Sequence, residues 1–313
     1  MFSSTFRDLR AYAVSDVVNG TTGDEDLVDF SLYLVGLRPR VRIVVEGQQE
    51  GQNLLKLTSG AEREAEVAFE QVDFDRIEVF GDGGYFRVYK GDETVFQGNA
   101  SSLLAGLELP VLLKSVDSRA NDTGIDKDFL DLEVVYVGKS EDNNGAINSR
   151  LLAHSTLQRI LAEVHDFQPN SEIVIVLFRP EGPTTTTVIL PTTSNVPTNA
   201  NMVTKAIMPN LDLNTRIAVA EASMIRLFKP KYNVHYKTSF PSQSHKSYSG
   251  LLPMEYNSLG VLLETQRTLG FRLYSEAVEP SFIFNNAWSV DPKRRSFSSA
   301  DDLIEILSER DSS

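Results

Sequence analysis

Two runs in the middle of the chain, LEVVYVG at 132–138 and SEIVIVLF at 171–178, are apolar on consecutive rather than alternate residues. A strand of this kind offers no face to water, so it has to lie inside a sheet covered on both sides. Between the two runs, AINSRLLAHSTLQRILAEVH (146–165) carries a helical apolar period, and TRIAVAEASMIRLF (215–228) reads as a second helix stopped by Pro230. This order predicts a domain of mixed α and β elements.

The flanking segments read differently. VRIVVEG, IEVF, YFRVY and TVFQG, punctuated by the Gly81-Asp82-Gly83-Gly84 and Lys90-Gly91-Asp92-Glu93 turns, predict an antiparallel meander. SSLLAGLELP (101–110) predicts a connector helix, and 115–128 a polar linker. Between Pro180 and Leu211 a Thr/Pro/Asn-rich stretch is too long for an ordinary connection and reads as a functional or disordered loop. After Ser247 the pattern predicts a helix at 259–269, then strand-like pieces and a helix at about 300–308 with Ser299 as N-cap. The expected organisation is a β-rich segment 1–109 with a regulatory or target-binding role, a central domain 110–245 and a mixed C-terminal region 246–313. A length of 313 residues fits more than one core.

Charge is distributed unevenly. The chain carries a net charge of -13, and residues 1–135 hold 13 basic against 25 acidic side chains. From Lys205 to Lys246 the balance reverses, with seven basic residues against Asp212 and Glu221. A nucleic-acid partner would approach that segment, and Lys229, Lys231 and Lys237 are its expected contacts. Arg7, Asp8 and Arg10 break any apolar leader, and no run suits a lipid core, so a cytoplasmic protein without a membrane partner is expected. With no cysteine, a metal would have to sit on carboxylate, imidazole or water.

Three polar residues interrupt apolar helix faces. Arg150 and His154, four residues apart, fall on the arc of Ile147, Leu151, Leu157, Leu161 and Val164, and Glu221 falls among Ile217, Met224, Ile225 and Phe228. Charges placed there need partners. An Arg150–Glu221 ion pair answers that need, and so does a divalent ion held by Glu221 with water and a phosphate. The apparent phosphate loop VGKS at 137–140 lacks the required first glycine, since Glu133 holds its place.

Taken in order, Tyr136-Val137-Gly138-Lys139-Ser140, Arg150 with His154, Glu221, and Lys229-Pro230-Lys231-Tyr232-Asn233 resemble the ordered motifs of the GIY-YIG nuclease superfamily over residues 110–240. YVGK is close to the form seen in the bacterial excision-repair incision enzyme. The resemblance implies an α+β fold, with a GIY-YIG-like small antiparallel sheet flanked by helices, acting as a DNA endonuclease that cuts phosphodiester bonds with one Mg²⁺ or Mn²⁺. By that resemblance Glu221 would hold the metal and Tyr136 would orient or deprotonate the attacking water. Arg150 would stabilise charge on the phosphate, His154 would assist proton transfer, Lys139 would contact phosphate or tune a tyrosine, and Asn233 would brace the site.

One motif is not found where the family has it. The Gly-hydrophobic-Tyr strand expected just before Tyr136 is represented only by Gly124-Ile125-Asp126 or by PVLLKS at 110–115, neither with a tyrosine. One catalytic tyrosine is therefore expected to be absent or supplied from elsewhere. The corresponding alternative is a catalytically impaired domain that binds nucleic acid or a protein partner. Restriction, repair, mobile-element and phage-defence settings all suit the nuclease expectation.

Overall fold

The computed structural model describes residues 2–4, 6–14, 30–49, 52–59, 63–69, 76–81, 84–99, 131–139, 154–180, 184–188, 203–205, 212–241, 258–266, 268–269 and 271–289. These residues form a mixed α/β structure, mostly sheet, with two helices among them. The N-terminal strands are β1 (Phe2–Ser4), β2 (Phe6–Ala13), β3 (Leu32–Pro39), β4 (Val41–Gln49), β5 (Gln52–Ser59), β6 (Arg63–Phe69), β7 (Arg76–Phe80), β8 (Tyr85–Lys90) and β9 (Glu93–Asn99). Then follow β10 (Leu132–Lys139), α1 (Ser155–Phe167), β11 (Ser171–Pro180), β12 (Thr184–Val188), β13 (Val203–Lys205) and α2 (Leu213–Phe228). The last strands are β14 (Ser258–Glu264), β15 (Leu273–Ser275), β16 (Val278–Ser281) and β17 (Ile283–Ser289).

The two apolar runs occupy the interior of a six-stranded sheet in the order β16-β15-β10-β3-β11-β2. Its centre, β10-β3-β11, is antiparallel, whereas β15 joins β10 in parallel. Alternation splits this sheet's core into two layers. Leu32, Leu34, Val134, Val174, Val176 and Phe178 pack with Ile217, Met224 and Phe228 of α2. Tyr33, Val35, Leu37, Ile173, Ile175 and Leu177 pack on the other face with Leu157, Ile160 and Val164 of α1. Each such side chain fully buried contributes about 1.5–3 kcal/mol, which accounts for the consecutive apolar residues.

A second sheet, β13-β12-β1-β14-β17, meets the far side of α2, where Val219 and Ala222 pack with Leu259 and Phe240. The helix is thus buried nearly all round rather than along one arc. Asp212 caps its start, its carboxylate accepting from the Thr215 N–H at 2.9 Å. Lys229, in the left-handed region at φ 45°, closes its end just before Pro230.

Segments 1–109, 110–245 and 246–313 all contribute strands to the six-stranded sheet, so the boundaries read from sequence run through one hydrogen-bonded unit. β3 and β10 are neighbours, and the chain between them carries two three-stranded meanders, β4-β5-β6 and β7-β8-β9. The second is the expected meander, with its turns at Gly81 (φ 62°) and Gly91 (φ 61°). VRIVVEG instead starts the first meander. Asp131 and Arg272 make a two-pronged contact, 2.8 and 2.6 Å, where β10 meets β15.

Three further expectations change. The helix foreseen at 259–269 is strand β14, with Leu259, Val261 and Leu263 buried and Leu262 and Glu264 exposed, a period of two. A side chain at Gly260 would lie 2.2 Å from the Asn286 carbonyl of β17, so glycine lets these strands approach. Part of the Thr-rich stretch is ordered as β12 and β13, because its β-branched residues suit an antiparallel pair. The helix foreseen at 146–165 begins at Ser155, with His154 as its extended N-cap residue. The expected connector helix at 101–110, the linker at 115–128 and the helix at 300–308 lie outside the described residues. No helix among the described residues is long and apolar enough to cross a membrane.

Candidate functional site

The C-terminal end of β10 and the start of β3 bring the candidate residues together. β10 pairs with β3 in a register that sets Gly138 opposite Tyr33 and Tyr136 opposite Val35, with an irregularity between Val134 and Tyr136. That bulge sends Val135 and Tyr136, two successive residues, toward the same α1-side layer. Bulges re-aim side chains in this way, and here the re-aimed residue is Tyr136.

Tyr33 is the residue that motif reading missed. It is buried, its ring lies 6.0 Å from that of Tyr136, and a side-chain hydrogen bond links the two hydroxyls. A tyrosine on the strand that pairs with β10, outside the stretch where the first tyrosine was expected, thus lies beside Tyr136. The sequence carried a signal for it, because Ser31-Leu32-Tyr33 is a small-hydrophobic-tyrosine triplet at the head of an apolar run. The chain between β3 and β10 hid it. PVLLKS and Gly124-Ile125-Asp126 lie outside the described residues.

Gly138 makes this packing possible. A Cβ there would sit 2.4 Å from Tyr33 Cζ and 2.9 Å from Tyr136 Cε1, so any side chain would displace both rings.

Glu221 approaches from α2, on the opposite face of the sheet from α1. Its side chain is 15% exposed and lies 3.9 Å from Lys139 Nζ, at the end of β10. The Glu221 charge reaches both tyrosines. Burial raises the Tyr136 hydroxyl above the ordinary phenol range and Glu221 raises it further, while the bond from Tyr33 works the other way. Tyr33 is raised chiefly by burial, then by the charge of Tyr136 and by the hydrogen bond to it.

His154 sits at the head of α1 with its ring 5.6 Å from that of Tyr136. Its Nδ1 is buried and makes no hydrogen bond among the described residues. His154 is extended and α1 starts at Ser155, so the helical pairing expected of Arg150 with His154 lies outside the described residues. Arg150 itself lies outside the described residues.

The segment after α2 is bound to the edge of β10. Asn233 makes a two-pronged contact with one residue: Oδ1 accepts from the Val137 N–H and Nδ2 donates to the Val137 carbonyl, both at 2.8 Å. The Tyr232 N–H donates to the Val135 carbonyl at 3.0 Å. Residues 232–233 thus satisfy strand groups next to Tyr136, beyond the point where β15 pairs with β10.

The three expected nucleic-acid contacts differ in setting. Lys229 is exposed at the helix end. Lys231 lies 3.5 Å from Glu163 of α1 and over the Tyr232 ring, and Lys237 donates to the Lys231 carbonyl at 3.4 Å.

No group of three His, Asp or Glu side chains gathers among the described residues. The donor set still suits a hard divalent ion of the magnesium kind, which binds through one carboxylate and keeps water and phosphate oxygens as its other ligands. Glu221 is such a carboxylate, half-buried beside two tyrosines that feel its charge. Comparison with protein-family models, with curated proteins and with solved structures yields no match.

Proposed function

We propose that the chain is a metal-dependent DNA endonuclease of the GIY-YIG kind that hydrolyses phosphodiester bonds. The observation that carries this reading is the meeting, at one end of the sheet, of two hydrogen-bonded tyrosines, a half-buried carboxylate and a lysine drawn from β3, β10 and α2. A structural ion pair would explain Glu221 and Lys139. It would not explain why a tyrosine from a distant part of the chain is packed against Gly138 with its hydroxyl turned to Tyr136.

In this mechanism Glu221 would hold Mg²⁺ or Mn²⁺, which would supply positive charge against the phosphate and make water more acidic. Tyr33 donates to the Tyr136 oxygen and fixes its direction, and Tyr136 orients the attacking water and takes part in moving its proton. His154, with an open ring nitrogen beside Tyr136, assists that transfer. Lys139 and Arg150 meet charge on the phosphate, and Asn233 holds the backbone of β10 in place. DNA enters across Lys229, Lys231 and Lys237.

The Lys139–Glu221 contact favours a second reading, in which the ammonium substitutes for the metal and the domain only binds nucleic acid. Incubating the purified protein with supercoiled, linear duplex and branched DNA, with Mg²⁺ or Mn²⁺ and then with chelator, separates the two. Chelator-sensitive cutting supports the nuclease, and binding without cutting supports the second reading.

A further inference from the structure

Where the segment after α2 meets α1, two cations from different elements share one ring and one carboxylate. Arg159 of α1 lies over the Tyr232 ring at 5.1 Å, and Lys231 Nζ over the same ring at 4.9 Å. Arg159 Nε is 3.9 Å from Glu163 Oε1 and Lys231 Nζ 3.5 Å from Glu163 Oε2, and the Tyr232 hydroxyl donates to that same Oε2 at 2.5 Å. Both cations remain open to solvent, at 57% and 64%.

Stability does not account for this arrangement, because exposed ion pairs add little to folding and holding long side chains still carries an entropic cost. What it does produce is a pair of cations pre-placed on a shared ring and carboxylate, with Glu133 also within reach of the Lys231 charge, in a chain of net charge -13. Pre-placing a cation lowers the ordering cost when an anion binds. The pair also has a fixed relation to the site, since Tyr232 is hydrogen-bonded through its N–H to Val135, next to Tyr136.

Resting on the reading of the chain as acting on DNA, we infer that Arg159 and Lys231 form a clamp on the DNA phosphate backbone, organised by Tyr232 and Glu163. Arg159 is the new element. It extends the DNA-facing surface from the segment after α2 onto α1, so that the backbone is gripped from two elements flanking Tyr136. Arginine suits the position because its planar guanidinium lies flat on a ring while its N–H groups bind oxygen.

The test is the salt dependence of binding to a short DNA duplex, measured with chelator so that no cutting occurs. Removing one cation that neutralises a phosphate should lower the slope of log affinity against log salt by about 0.9. Arg159→Gln and Lys231→Gln should each show that reduced slope with unchanged circular dichroism and thermal midpoint, and Arg159→Lys should restore it. If the wild type binds and both glutamine variants keep its slope and affinity, the clamp is overturned while the nuclease proposal stands. A wild type that does not bind DNA at any salt concentration overturns both.

Discussion

The rings of Tyr33 and Tyr136 lie 6.0 Å apart across two paired strands, although residues 34–135 separate them in the chain. Tyr33 is buried and Tyr136 partly exposed. Under the proposed function Tyr136 would face the reacting groups and Tyr33 would donate to it and set its geometry.

The two phenylalanine variants should therefore differ. Tyr136→Phe removes the group that handles the proton and should lower the cleavage rate by about 10²–10⁴-fold. Tyr33→Phe removes one neutral hydrogen bond, worth about 1 kcal/mol, and should lower the rate by roughly fivefold. It also removes the interaction that holds Tyr136 down, so any limb of the pH–rate profile reporting Tyr136 should move to higher pH. Single-turnover rates across pH check both expectations, and equal losses with no shift would contradict the assigned direction.

Alkaline stability follows from the same pair. Both hydroxyls titrate above the ordinary phenol value of 10.0 in the folded chain, because burial disfavours the phenolate. Unfolding releases them to that value, so their contribution is complete below pH of about 10 and is lost as pH rises toward the folded-state values. Urea midpoints should fall above pH of about 10, and the fall should be shallower in Tyr33→Phe than in the wild type.

Gly138→Ala tests the packing. The added methyl meets the Tyr33 ring at 2.4 Å, and overpacking of this kind costs about 1–3 kcal/mol. The expected result is a lower urea midpoint together with loss of cleavage larger than in Tyr33→Phe, because Tyr136 is displaced as well.

Asn233→Ala should destabilise the chain by about 1–2 kcal/mol, since Val137 loses both partners that Asn233 supplies. Hydrogen exchange at the Val137 amide should speed up more than at Val174 in the centre of the sheet. Equal protection in the variant would remove Asn233 from its bracing role.

Much of this architecture was readable in the residues, for physical reasons that vary by element. LEVVYVG and SEIVIVLF announced buried strands because only a doubly covered sheet tolerates consecutive apolar residues. TRIAVAEASMIRLF before Pro230 reads as a helix, and α2 covers it from Leu213 to Phe228. Tyr33 escaped because sheet pairing is not local: β3 and β10 are neighbours only after the chain between them has been set aside. The strand at Ser258–Glu264 reads as a helix because Leu259, Leu262 and Leu263 share a helical face, whereas the buried face follows Leu259, Val261 and Leu263. Strands from 1–109, 110–245 and 246–313 share the six-stranded sheet, and composition along the chain does not reveal which strands complete one sheet.

The most direct test of the central claim is a paired measurement on Glu221→Gln, a substitution that keeps shape and removes the charge. Cleavage of DNA with Mg²⁺ or Mn²⁺ and binding of DNA in chelator are measured for this variant and the wild type. The account predicts metal-dependent cutting by the wild type, no detectable cutting by Glu221→Gln, and equal DNA affinity in chelator. Metal-dependent cutting that survives in Glu221→Gln would contradict it.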